Sequence, residues 1–171
     1  DRLVGFEPWS LVPYATLWLY ISLVPALLHL RREMAPYLSA VSLLSLIGFA
    51  VFYFWPTAVP KPDVDWTRYP YIEFLKTLDT SGNACPSLHV AFAVLTALWL
   101  QRLLRQMNAP LSAQLLNIVW CLTIAWSTLA TKQHVAVDLE TGAVLGFTVA
   151  VLHLHLLPRF RSRLQEAPET G

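Results

Sequence analysis

Apolar residues occur in five long runs, at residues 11–30, 36–55, 87–104, 111–130 and 139–157, separated by short polar turns and one long polar segment. Each run is long enough to cross a hydrocarbon core of about 30 Å as a helix. In every run the apolar side chains go round all faces of a helix instead of forming one stripe, as lipid-exposed helices do. Backbone groups in lipid must be satisfied within the segment or a closed barrel, and the alternation that marks barrel strands is missing. The pattern therefore predicts an all-α fold, a polytopic transmembrane helical bundle of five visible spans forming a single membrane-embedded domain over residues 1–171. Pro13 and Pro25 predict kinks in the first span. Trp9, Tyr14, Trp55 and Trp66 stand where an aromatic belt meets headgroups. The polar segment 57–86 holds Pro60, Pro62 and Pro70, then a stretch at 71–78 that predicts a short interfacial helix, then a turn at Ser81-Gly82-Asn83.

Composition sharpens this picture. Of 171 residues, 56% are hydrophobic and only 13% charged, a balance suited to a chain solvated by lipid. The net charge of +1 gives no field for a nucleic acid, which is excluded as a partner. Two cysteines, Cys85 and Cys121, make neither a disulfide framework nor a zinc site. Arg31 and Arg32, Arg102 and Arg105, and Arg159, Arg161 and Arg163 follow spans one, three and five, which puts those turns in the cytoplasm. The loops 57–86 and 131–138 then meet on the outer face. The expected setting is a bacterial inner membrane, with the polar loops facing the periplasm or the outside. Five spans leave Asp1 outside as well, which predicts a further span before it.

Chemistry concentrates in those two loops. Cys85-Pro86-Ser87-Leu88-His89 opens the third span, so Ser87 and His89 occupy the first turn of a membrane helix, where free N–H groups and the positive dipole end suit a phosphate oxygen. His89 can exchange a proton near neutral pH. An ordinary Pro-Ser helix start with an interfacial His reads equally well from this motif alone. His134 and Asp138 stand four residues apart, and on a helix that spacing lets the carboxylate hold one imidazole nitrogen protonated and leave the other free to attack. Such a pair also serves as a plain surface contact. Lys61 and Arg68 could neutralise a phosphate. Lys61 could equally be a snorkelling anchor and Arg68 a partner for Asp65. Gly142 and Gly146 make a small-x3-small pair that predicts close packing of span five. Glu140, His29, His153 and His155 are assigned to helix ends and interfaces.

Taken together, Lys61-x6-Arg68-Tyr69-Pro70, Pro86-Ser87-Leu88-His89 and Ser127-Thr128-x5-His134-x3-Asp138 resemble the ordered three-part signature of the type-2 phosphatidic acid phosphatase superfamily. The resemblance runs from Lys61 to Gly146. It departs from the family pattern at Tyr69, which separates Arg68 from its Pro, at Leu88, which replaces a Gly, and at Thr128, which replaces an Arg. Lys132 is expected to supply the missing charge. The variant with Leu88 and without that Arg resembles the branch that includes inositol phosphorylceramide synthases.

The resemblance implies a membrane enzyme that dephosphorylates lipid phosphates, or a related lipid headgroup phosphotransferase. It further implies His134 as nucleophile, Asp138 as its orienting partner and His89 as acid and base. Phosphate binding falls to Lys61, Arg68, Ser87, Leu88 through its N–H, Ser127 and Lys132. No metal or cofactor is required in this scheme. The expected partners are a lipid phosphate substrate and membrane lipids, and a homodimer stays open. Two other classes also stay open: a metal-dependent enzyme or transporter using His89, His134 and Asp138, and a catalytically idle scaffold.

Overall fold

The structure, a computed structural model, describes residues 4–28, 31–62, 64–70 and 82–156. A 3-10 turn at Pro8–Ser10 leads into helices α1 (Leu11–Ala15) and α2 (Leu17–Leu27). Then follow α3 (Arg31–Phe54), α4 (Leu88–Gln106), α5 (Leu111–Ala130) and α6 (Ala136–Val151), the last continued by a π-helical stretch at Leu152–Leu156. Among the described residues there are five helical stretches long and apolar enough to cross a membrane: Pro8–Leu27, Met34–Phe54, Leu88–Gln106, Leu111–Ala130 and Ala136–His155. They match the five apolar runs of the sequence, so the fold is the expected all-helical, polytopic bundle. The expected interfacial helix at 71–78 and Arg159, Arg161 and Arg163 lie outside the described residues.

The first span is broken at Thr16, three residues beyond Pro13. The Thr16 hydroxyl donates to the Pro13 carbonyl at 2.7 Å and accepts from the Trp120 indole N–H at 3.0 Å, fixing the break against α5. Pro25 stays inside α2. Having no N–H, it leaves the Ile21 carbonyl without its helical donor. The Tyr37 hydroxyl of α3 donates to that carbonyl at 3.2 Å, the kind of repair from a neighbouring helix that lets proline persist in a span.

Helix α4 is the hub, packing against α2, α3, α5 and α6. Small and medium side chains, among them Ala91, Ala93 and Leu95, are fully buried on more than one side of it. The expectation for the glycine pair is met in detail: a Cβ on Gly142 would strike the backbone carbonyl oxygen of Ser87, and one on Gly146 that of Ala91. Bare backbone on α6 thus lets it lie directly on α4. A polar chain ties three helices. The Tyr20 hydroxyl donates to Asn117 Oδ1 at 2.5 Å, and the Asn117 amide donates to Gln101 Oε1 and to the Ala97 carbonyl, each at 3.0 Å. Tyr20→Phe is expected to cost about 1 kcal/mol. The check is a fall of a few degrees in the unfolding temperature in detergent, with a parent-like helical spectrum.

The helix directions bring the end of α3, the start of α4, the end of α5 and the start of α6 to one end of the bundle. Arg102 and Arg105 lie near the other end of α4, where the Arg102 guanidinium donates to the Leu154 carbonyl at 3.0 Å. The described parts of loop 57–86 and the loop 131–138 therefore share an end.

Candidate active site

The start of α4 is held by its neighbours. The Ser87 N–H donates to the Asp138 carbonyl at 2.9 Å, and Ser87 Oγ caps the helix by accepting the Val90 N–H at 3.4 Å. The N–H groups of Leu88 and His89 belong to the first turn, which has no acceptors within the helix, and the dipole adds positive potential there. Upstream, Thr57 pins the segment that leads into α4: its carbonyl accepts from the Ala84 N–H at 3.2 Å and its hydroxyl from the Cys85 N–H at 2.8 Å.

Leu88 shows how this chain accommodates a large side chain where the signature has glycine. Its side chain lies against Gly48 of α3, where an added Cβ would collide with Leu88 Cδ2. The bulk is absorbed by a neighbour that has none, and the Leu88 N–H stays in the first turn.

The other histidine arrives by a different local fold from the one its spacing suggested. Helix α6 begins at Ala136, so His134 precedes it and the i,i+4 pair with Asp138 is not stacked on a helix face. The Thr128 carbonyl instead accepts from the N–H groups of both Gln133 (3.2 Å) and His134 (3.1 Å), folding the loop back over the end of α5. Lys132 takes the turn at φ +58°, a left-handed conformation that costs a non-glycine residue on the order of 1 kcal/mol and is held by these flanking bonds. Asp138 turns its carboxylate back to accept the Val135 N–H at 2.9 Å.

These bonds decide which nitrogen of His134 is engaged. Nδ1 lies 3.0 Å from the Ala84 carbonyl oxygen and 3.6 Å from Asp138 Oδ2. A carbonyl can only accept, so Nδ1 carries the proton and Nε2 the lone pair in the neutral ring. Asp138 is the more distant, charged partner. Ala84 is thus the residue that sequence reasoning missed, and a backbone carbonyl leaves no mark in a sequence by which to find it.

His134 and His89 lie with ring centres 6.3 Å apart, and both border one cavity of about 790 Å³. Lys132, Gln133 and Asn83 give that cavity its polar end. Trp18, Ile21, Val41, Phe49 and Phe52 of α2 and α3 line its apolar part. The His89 ring stacks on Tyr14, centres 4.2 Å apart and planes at 20°, with the Tyr14 hydroxyl 3.4 Å from Nδ1.

The structure thus brings together His89, His134, Asp138, Ser87, Leu88 and Lys132. It does not bring the other three expected phosphate ligands to the cavity. The Ser127 hydroxyl is buried and donates to the Ile124 carbonyl at 2.6 Å within its own helix. Arg68 pairs with Asp65 at 3.2 Å on the exposed surface, the alternative its sequence context allowed. Lys61 is exposed and stands outside the cavity lining. Thr128, at the position of the missing Arg, is fully buried with its hydroxyl on the Ala125 carbonyl at 2.8 Å. Lys132 is the cationic side chain of that loop that reaches the cavity, its ammonium also donating to the Val4 carbonyl. Among the described residues no group of three or more His, Cys, Asp or Glu could hold a metal ion.

The family model of the PAP2 superfamily matches residues 33–162, a range that contains all three signature segments. No curated protein and no solved structure matches the chain.

Proposed function

Because this chain belongs to the PAP2 superfamily, whose members are phosphatases or related phosphotransferases, and carries five membrane-spanning helices, we propose that it hydrolyses lipid phosphates through a phosphohistidine. The observation that carries this reading is the Ala84 carbonyl on His134 Nδ1, which leaves Nε2 as a nucleophile beside the cavity shared with His89.

In the first step the Nε2 lone pair of His134 forms the N–P bond while the ester P–O bond breaks. Its electron pair departs on the lipid alkoxide, which takes the Nε2 proton of His89 in its imidazolium form. In the second step water attacks phosphorus, giving its proton to His89 Nε2. The P–N bond breaks, its electrons return to His134, and inorganic phosphate leaves. Asp138 and Ala84 stabilise the positive charge that His134 acquires. Lys132 and the first-turn N–H groups of α4 stabilise the equatorial oxygens, and Ser87 holds that turn in place. Lys61, Arg68 and Ser127 would serve this reaction only by rearranging on substrate binding.

The site sits at the loop end of the spans, and the apolar side of its cavity suits a lipid tail while the phosphate meets the histidines. On the positive-inside reading of the arginines this end faces away from the cytoplasm. A second reading, transfer of the phosphoryl or phospho-headgroup to an alcohol, is favoured by Leu88 and Thr128, the two departures that resemble the phosphotransferase branch. Free phosphate measured from a lipid phosphate in detergent micelles separates the two. Release without added alcohol supports hydrolysis, and product formed only when an acceptor alcohol is present supports transfer. Absence of both, in protein that retains its helical spectrum, would overturn the enzyme reading.

Lys132→Met keeps the apolar stem and removes the charge. It is expected to lower kcat/KM by about 10- to 100-fold, with Lys132→Arg within a few-fold of the parent. Initial rates over a range of lipid phosphate concentrations check both.

A further inference from the structure

We propose that Tyr14 is a positioning residue for His89: its hydroxyl oxygen accepts the Nδ1–H of the His89 imidazolium and its ring carries the stacked imidazole, so that proton exchange is confined to Nε2. The contact geometry is independent of the phosphotransfer reading, while the catalytic consequence rests on it.

Tyr14 lies outside the matched range 33–162, in the short helix α1, so the signature does not account for it. Its placement is nonetheless built from several fixed contacts. Before it, the Glu7 N–H donates to the Ala130 carbonyl at 3.0 Å and Trp9 packs on Trp126, with ring centres 5.0 Å apart. After it, the break at Thr16 is bonded to Trp120. Tyr14 is therefore held between two anchor points on α5, and the end of α1 is turned so that its ring faces the start of α4. There it meets His89 face to face, at 4.2 Å and 20°, an arrangement that favours a cationic ring over an aromatic face.

The two histidines are thus treated alike. Each has Nδ1 occupied, His134 by a carbonyl and His89 by a phenol oxygen, and each has Nε2 left for chemistry. An imidazole that must give a proton and then take one through the same nitrogen needs its other N–H kept in place, and a single oxygen acceptor does that. The 3.4 Å separation is long for a hydrogen bond, and catalytic hydrogen bonds tighten when substrate binds.

The test compares Tyr14→Phe, which keeps the stacked ring, with the parent on two esters in detergent micelles. Dioctanoylglycerol phosphate has an alkoxide leaving group that needs a proton, whereas p-nitrophenyl phosphate has one that does not. A positioning role predicts that, in a single turnover, release of dioctanoylglycerol slows about 10-fold, while the burst of nitrophenolate, which leaves before water is activated, stays within about twofold. Equal losses on both esters, or no loss on either, would overturn it. A second readout needs no turnover: the imidazole 15N resonances of His89, in protein labelled at histidine, shift in Tyr14→Phe while those of His134 do not. Unchanged His89 resonances would overturn the contact itself. Shifted resonances in a parent inactive on both esters would support the contact and remove the phosphotransfer reading instead.

Discussion

His134→Ala is expected to lower lipid phosphate turnover by about 10³-fold or more, with His134→Asn equally inactive and as stable as the parent. The two variants do different things to the site. Alanine removes both nitrogens, including the Nδ1–H held by the Ala84 carbonyl at 3.0 Å. The asparagine amide stands in for Nδ1, so the loop can keep its bond to Ala84 while the attacking nitrogen is gone. Loss of activity in the asparagine protein therefore isolates the nucleophile from the loop it sits on. Turnover and unfolding temperature measured on the same preparations check this, and an asparagine protein with more than about a tenth of parental activity would be inconsistent with attack by Nε2.

Gly142→Val is expected to abolish activity through the fold instead of the chemistry. A Cβ at this position meets the carbonyl oxygen of Ser87, a backbone atom that cannot rotate away. Relief requires α6 to move off α4. That separation breaks the Ser87 N–H bond to the Asp138 carbonyl, so the first turn of α4 and the carboxylate beside His134 lose their common anchor. Overpacking of a tight core typically costs 1–3 kcal/mol, and a clash with main chain belongs at or above the top of that range. The measurable result is a markedly lower unfolding temperature in detergent together with loss of turnover. Gly5→Val makes the control, because a Cβ there meets nothing within 4 Å.

How much of this could be read from the residues alone depends on what kind of bond carries each feature. The spans were legible because lipid imposes one requirement on every residue of a run, and the described helices fall on the five apolar stretches. The packing role of Gly142 and Gly146 was legible for a similar reason: only a residue without a side chain permits backbone contact between helices. Pro13 and Pro25 signalled irregularity but not its form, since the break settles at Thr16, where a side chain from α5 happens to meet it. The signature segments identified both histidines, yet the partner of each Nδ1 lay beyond sequence reasoning. Ala84 acts through its carbonyl, which every residue has, and Tyr14 looked like one aromatic anchor among several. Arg68 illustrates the opposite hazard: its side chain was assigned to phosphate, while an acid three residues earlier was close enough to claim it. Gly48 carried no signal until Leu88 was seen to lie against it.

The Leu88 and Gly48 pairing also bears on the variant signature. A leucine at this point need not disable the proposed phosphate site, because its side chain lies against Gly48 of α3 and its N–H stays in the first turn. The loss of the Arg at Thr128 is of another kind, since a buried threonine bonded to its own helix supplies no charge to the cavity. Lys132, one turn of loop away, is the compensating cation in the proposed mechanism, and the Lys132→Met variant reports on it directly.

In the proposed mechanism phosphorus becomes bonded to Nε2 of His134 during turnover. The most direct measurement exposes the protein briefly to a 32P-labelled lipid phosphate, quenches in alkali and maps the label by peptide sequencing. The proposed mechanism predicts acid-labile, alkali-stable label on the peptide containing His134, absent from His134→Asn and accumulating in His89→Ala when a good leaving group bypasses the first proton transfer. Turnover of the same substrate with no label on His134 in either the parent or His89→Ala, under conditions where a phosphohistidine survives, would contradict it.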